Sequence, residues 1–161
     1  MTKNDRKRQK KKKEYKGDRF VKVYTDGSCS PNPGPGGWAA LIIDGKDERI
    51  LKGFHPSSTN NRMELTAALS ALQKINRKKV VFLYTDSEYL RKGITEWIDN
   101  WIARNWKRKG GKLANVDLWK ALASEIKNRD ITWNWVKAHN GEIYNERVDK
   151  IARSMTERAN Q

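Results

Sequence analysis

Two segments of this 161-residue chain end alike, Val23-Tyr24-Thr25-Asp26 and Leu83-Tyr84-Thr85-Asp86. Each is an apolar, β-prone run closed by a carboxylate, so each reads as a strand with an acid at its carboxyl end. Ligands in open α/β sheets gather beyond those ends. If the two strands are neighbours, the carboxylates converge, and acids that close repel each other unless a cation joins them. For either aspartate alone, an N-cap or a turn is the alternative role. Glu64 shifts the balance. On a helical path it shares a face with Ala68, Ala71 and Ile75 and points toward the sheet. A capping box with Asn61 is the alternative explanation. Asp149 neighbours Val148 and Ala152, at the edge of a buried helix face. Four carboxylates leaning toward one sheet edge form an all-oxygen donor set suited to Mg²⁺ or Mn²⁺. With two histidines and one cysteine, nothing resembles a zinc or iron site.

The elements that must position these acids follow from patterning. Phe20–Thr25 alternates and predicts a strand. Ser30–Gly37, rich in Pro and Gly, predicts a turn region without regular structure. Trp38–Ile43 and Glu48–Phe54 predict two strands joined at Asp44-Gly45, a hairpin signal. Asn61–Asn76 predicts a helix, with Leu65, Ala68, Leu69, Leu72 and Ile75 on one face and Asn61 as its cap. Val80–Tyr84 is a continuous apolar run after a helix, so it predicts a buried strand parallel to the first. Residues 87–127 predict helical pieces broken near Gly93 and Gly110-Gly111. Ile131–Val136 predicts a fifth strand and Asn145–Ala159 a last helix. The order β-β-β-α-β-α-α-β-α predicts an α/β fold with a five-stranded mixed sheet and covering helices.

The chain carries 34 Lys+Arg against 19 Asp+Glu, a net charge of +15. Nine of those basic residues lie in the first sixteen positions, beside two acids. A basic domain with a more basic tail points to a polyanion, most often nucleic acid. Residues 1–17 predict a disordered polybasic tail, because they have too little apolar surface to offset ordering, and residues 18–161 predict the folded domain. The single Cys29 excludes an intramolecular disulfide and suits a reducing compartment. No apolar stretch reaches membrane-spanning length, and the charged start is not expected to be a secretory signal.

Five segments together resemble type 1 ribonuclease H in order and spacing. They are Thr25-Asp26-Gly27-Ser28-Cys29, Asn32-Pro33-Gly34-Pro35-Gly36-Gly37, Thr59-Asn60-Asn61-Arg62-Met63-Glu64-Leu65, Thr85-Asp86-Ser87 and Asn145-Glu146-Arg147-Val148-Asp149. Gly93-Ile94-Thr95-Glu96-Trp97, with Asn115-Val116-Asp117-Leu118-Trp119, is similar to the bacterial branch and its basic protrusion. The resemblance spans about Val21 to Arg158. It implies a ribonuclease H-like fold with helices on both sheet faces and an endonuclease that cuts the RNA strand of RNA/DNA hybrids. The expected products carry 5′-phosphate and 3′-hydroxyl ends. It implies two Mg²⁺ ions, replaceable by Mn²⁺, held by Asp26, Glu64, Asp86 and Asp149. It gives His139 a part in proton transfer or product departure, and Asn145 a part in supporting the attacking water or the metal shell; Asn145 equally suits the N-cap of the last helix, and the two roles are compatible. The expected enzyme is a cytoplasmic monomer, or a nuclear one if the source is eukaryotic or viral.

Telling RNA from DNA needs groups that meet a 2′-hydroxyl, which both donates and accepts. Asn32, Asn60, Asn61 and the backbone around Cys29 are candidates, and Thr59 with Asn32 for a DNA-strand phosphate pocket. Lys107, Arg108, Lys109 and Lys112, with Arg104, interleave with Trp97, Trp101 and Trp106, a mixture that grips phosphate and stacks on sugar or base. Trp101 is expected to be mainly core, and Trp97 or Trp106 to meet the DNA strand. Three positions depart from the family pattern. Glu88 stands where glutamine is frequent, Ala138 where glycine is common, and Pro31 removes an amide from the loop after Cys29.

Overall fold

The computed structural model describes residues 19–139 and 141–161, so the predicted polybasic tail lies outside the described residues. Strand β1 (Phe20–Cys29) pairs antiparallel with β2 (Gly34–Asp44), and β2 pairs antiparallel with β3 (Asp47–Ser58). Helix α1 (Asn60–Lys74) crosses back to β4 (Val80–Thr85), which lies parallel to β1. Then come α2 (Glu88–Lys92), a π-helical turn (Gly93–Trp97), α3 (Ile98–Ala103) and α4 (Val116–Ile126). Strand β5 (Ile131–Trp135) joins the sheet parallel to β4, and α5 (Ile143–Ala159) completes the fold. The sheet order is β3-β2-β1-β4-β5.

The helices cover both faces of that sheet, as its strand alternation requires. Val21, Val23, Ala40, Ile42, Val81 and Leu83 face one way, against Leu65, Leu69 and Leu72 of α1 and Trp119 and Leu122 of α4. Tyr24, Ala39 and Leu41 face the other way, against Val148 and Ala152 of α5. Each fully buried leucine contributes about 2–3 kcal/mol. Two arginines fasten helix ends to one another. The Arg129 guanidinium donates to the Leu72 and Ile75 carbonyls at the end of α1, and Arg77 donates to the Ser124 and Lys127 carbonyls at the end of α4.

Four local expectations change. The predicted turn region contains the start of β2, with Gly36 opposite Cys29 and Gly37 opposite Ser28. Glycine serves proximity there: a side chain on Gly37 would collide with the α5 backbone at Ala152 and Thr156. The cap of α1 is Thr59, not Asn61; the Thr59 hydroxyl accepts from the Arg62 amide at 3.1 Å. The chain does not break at Gly93 but continues through the π turn, where Trp119 packs into the space that a side chain would fill. Finally, α5 is capped by Glu142, whose carboxylate accepts from the Asn145 amide at 2.6 Å; Asn145 itself is buried in the first turn. Among the described residues, no helix is long and apolar enough to cross a membrane.

Candidate active site

The two Tyr-Thr-Asp endings are brought into register by sheet pairing. Tyr24 lies opposite Tyr84 in the parallel β1–β4 pair, and their rings stack at 4.6 Å. Asp26, still within β1 opposite Ala39, and Asp86, one residue past the end of β4, therefore come side by side two residues further on. Strand β4 ends at Thr85, while β1 runs on against β2 alone, so the edge of β1 beside Asp26 is open where the chain departs at Asp86.

Glu64 reaches this point from the α1 side. A side chain on Gly27 would collide with the Met63 and Glu64 backbone, so glycine lets the helix close onto the strand end. One carboxylate oxygen each from Asp26, Glu64 and Asp86 lies within 4.8 Å of the others. Asp26 and Glu64 are both only 6% exposed. The capping-box alternative for Glu64 fails, because Thr59 caps the helix and Glu64 turns into the sheet. From the α5 side come Asp149 and Glu146, and His139 joins them from the β5–α5 loop; their ligand atoms also lie within 4.8 Å of one another.

Electrostatics ties the groups together. Burial, then the Asp86 charge, pushes the Asp26 carboxyl up to about 8, against the pull of the Gly27 amide. Burial and the charges of Asp26 and Asp86 hold Glu64 well above the usual carboxylate range. Asp86 is raised by burial and by Asp149, with His139 pulling it down. A bound cation relieves repulsion of this kind and lets the acids ionise. The donor set fits one: hard oxygens, closely grouped, with Glu64 Oε2 buried and without a hydrogen-bond partner among the described residues. Such a set suits Mg²⁺ or Mn²⁺.

The other predicted residues fall into two groups. Around the β1–β2 turn, Cys29 Sγ lies 3.2 Å from the Gly34 carbonyl and 3.5 Å from that of Ser58. Asn32 Oδ1 accepts from the Asn60 amide at 3.1 Å, tying this turn to the start of α1, where Asn61 is exposed. The Thr59 hydroxyl is engaged as the helix cap. On the far side, Lys107, Arg108, Lys109 and Lys112 are all exposed in the loop between α3 and α4. Trp101 contacts Trp97, Trp106 and Trp119 at centroid distances of 5.7, 6.3 and 5.3 Å. Trp106 packs against the core as well, while Trp97 is half-buried beside Tyr89. A cavity of about 430 Å³ opens between the rings of Tyr89, Trp97 and Trp101 and the side chains of Arg104, Lys107 and Arg108.

Several neighbours escape a reading of the sequence. Arg153 approaches Asp149 at 2.8 Å, and Glu146 stands beside it; both are legible only as helical i+4 and i−3 partners. Arg62 grips Asp117 with two nitrogens, at 3.0 and 2.8 Å, and touches Asn115, which donates to Tyr89 Oη. That network joins α1 to the base of the basic loop. Arg62 and Asp117 lie 55 residues apart, so no local signal announces the pair.

The site is thus an acid cluster at the ends of the central parallel strands of a five-stranded mixed sheet, in a strongly basic chain. Comparison with known proteins gives the class. The family profile described as RNase H matches residues 18–157. A ribonuclease H of Hahella chejuensis (strain KCTC 2396) is 53% identical over 133 residues, 82% of this chain and 90% of that protein. One of Granulibacter bethesdensis (strain ATCC BAA-1260 / CGDNIH1) is 51% identical over 134 residues, 83% and 89% respectively. The crystal structure of LC9-RNase H1, described as a type 1 RNase H with the type 2 active-site motif, matches with a TM-score of 0.79 at 30% identity, covering 88% of this chain and 74% of that one. The chain belongs to the type 1 ribonuclease H family, enzymes that hydrolyse the RNA strand of RNA/DNA hybrids.

Proposed function

We propose that Asp26, Glu64, Asp86 and Asp149 hold two divalent cations, Mg²⁺ with Mn²⁺ as a substitute, and that cleavage is endonucleolytic, leaving 5′-phosphate and 3′-hydroxyl ends. The observation that carries this reading is the grouping of mutually repelling carboxylates at one sheet end, three of them within 4.8 Å. When bound, the cations lower the pKa of the attacking water and stabilise the leaving 3′-oxygen.

The chain's own residues supply position and proton traffic. Asp26, on the central strand, would hold the cations together with Glu64 and Asp86. His139 is exposed in a loop beside Asp149, placed to take or give a proton at the scissile group or to help product leave. Asn145, buried in the first turn of α5, supports the same side of the site. Asn32, Asn60 and Asn61, with the backbone near Cys29, face the RNA 2′-hydroxyls. The Thr59 hydroxyl oxygen accepts in the cap, which leaves its O–H to donate to a phosphate. The basic loop from Lys107 to Lys112, with Trp97 and Trp106, grips the DNA strand. Glu88 flanks the RNA side.

The enzyme is then a monomer working in the cytoplasm, or in the nucleus were the source eukaryotic or viral; the single thiol fits a reducing compartment. The test is Asp26→Asn. It should abolish magnesium-dependent cleavage while hybrid binding persists, and magnesium calorimetry should lose its signal. Turnover by that variant at more than a few per cent of the parent rate would contradict the assignment.

A further inference from the structure

Glu88 sits at the first position of α2, two residues after Asp86, on the rim of a cavity of about 470 Å³ shared with Thr85, Asp86, Arg91, Trp135 and Lys137. Its side chain is 69% exposed, and Arg91 meets it at 3.4 Å. An acid this close to a phosphodiester site is unfavourable unless it meets a donor, because phosphate oxygens only accept. Arg91 partly neutralises Glu88 without covering it.

For hybrid cleavage, the strand ends must face the duplex where 2′-hydroxyls and the scissile phosphate are both reachable. In an A-like duplex that is the wide, shallow minor groove, which also displays base edges. A carboxylate is acceptor-only. Among base edges in the minor groove, the guanine N2 amino group is the single donor; the others present acceptors. A carboxylate there attracts guanine and repels every other base edge. An amide would accept from guanine but also donate to the remaining bases.

We propose that Glu88, held by Arg91, is a specificity-determining residue that favours cleavage where a guanine N2 amino group faces it from the minor groove. This rests on the proposed hybrid-cleaving function. The test compares cleavage of hybrids in which single guanines are replaced by inosine, which pairs alike but lacks the N2 amino group. Substitution is made separately in the RNA and DNA strands, so that the strand supplying the guanine is identified.

The parent protein should cut about threefold or more slowly at one fixed distance from the inosine, a modest figure for a charge-assisted hydrogen bond. Glu88→Gln should shrink that ratio, and Glu88→Ala should bring it to one. Equal cleavage of guanine and inosine hybrids by the parent at every register, or a preference that survives Glu88→Ala, would overturn the proposal. Neither result touches the assignment of the catalytic acids, which would fail only if no hybrid were cut in the presence of metal.

Discussion

The backbone of Glu64 occupies the volume that a side chain at position 27 would need. Strand β1 and helix α1 touch at that point, one residue from Asp26, so the spacing of two acids is set by the absence of a third side chain. Gly27→Ala must push helix from strand, since the colliding atoms are backbone. Overpacking of this kind costs about 1–3 kcal/mol. The melting temperature should fall by roughly 5 °C, and kcat should fall more than tenfold with KM little changed. Full activity at a lowered melting temperature would separate the glycine from catalysis.

The acid cluster makes the metal-free protein sensitive to pH. The Asp26 carboxyl titrates near 8 when folded, against 3.8 ordinarily. The folded state therefore binds the extra proton between those values, and its stability falls as pH rises from about 4 to about 8. In EDTA, melting temperature should decline across that window. Asp26→Asn should flatten the decline and raise the melting temperature near pH 8 by roughly 5 °C. Magnesium should stabilise the parent at that pH and leave the variant nearly unmoved. A variant less stable than the parent in EDTA would contradict the account.

Arg129 carries a structural role that its charge disguises. Its side chain is 1% exposed, between the last carbonyls of α1 and Glu125. Arg129→Met takes the guanidinium from the Ile75 carbonyl and leaves Glu125 with Arg77 alone, at about 2–4 kcal/mol. Melting temperature should drop by roughly 5–10 °C, with kcat at permissive temperature unchanged. Arg77→Ala, at the exposed counterpart, should cost far less.

Much of this is legible in the residues themselves, for identifiable reasons. Matching Tyr-Thr-Asp endings and a continuous apolar run announce two parallel strands, and the pairing of Tyr24 with Tyr84 turns that into a site. Glu64 stands out because an acid on an apolar helix face needs a partner. The cap at Thr59 and the start of β2 at Gly34 are not legible in this way. Local propensity assigns Asn61 and a Pro-Gly run their commonest roles, and tertiary contacts override both. The Arg62–Asp117 pair and the Trp101 stack depend on chain segments meeting in space, which spacing along the sequence does not report.

The first sixteen residues hold nine basic groups and should act through charge alone. Deleting them should weaken hybrid binding and flatten its dependence on salt, by about 0.9 in the log–log slope for each phosphate no longer neutralised. Single-turnover cleavage at saturating protein should be unchanged. An unaltered slope would mean that those charges never meet the nucleic acid.

The central claim is metal-dependent cleavage of RNA paired with DNA by the clustered carboxylates. One labelled RNA strand, presented alone, paired with RNA and paired with DNA, each with Mg²⁺ or EDTA, tests it most directly. Cutting confined to the DNA-paired form with Mg²⁺, and abolished in Asp26→Asn, is the predicted result. Cutting of RNA alone, cutting in EDTA, or cutting retained by Asp26→Asn would contradict it.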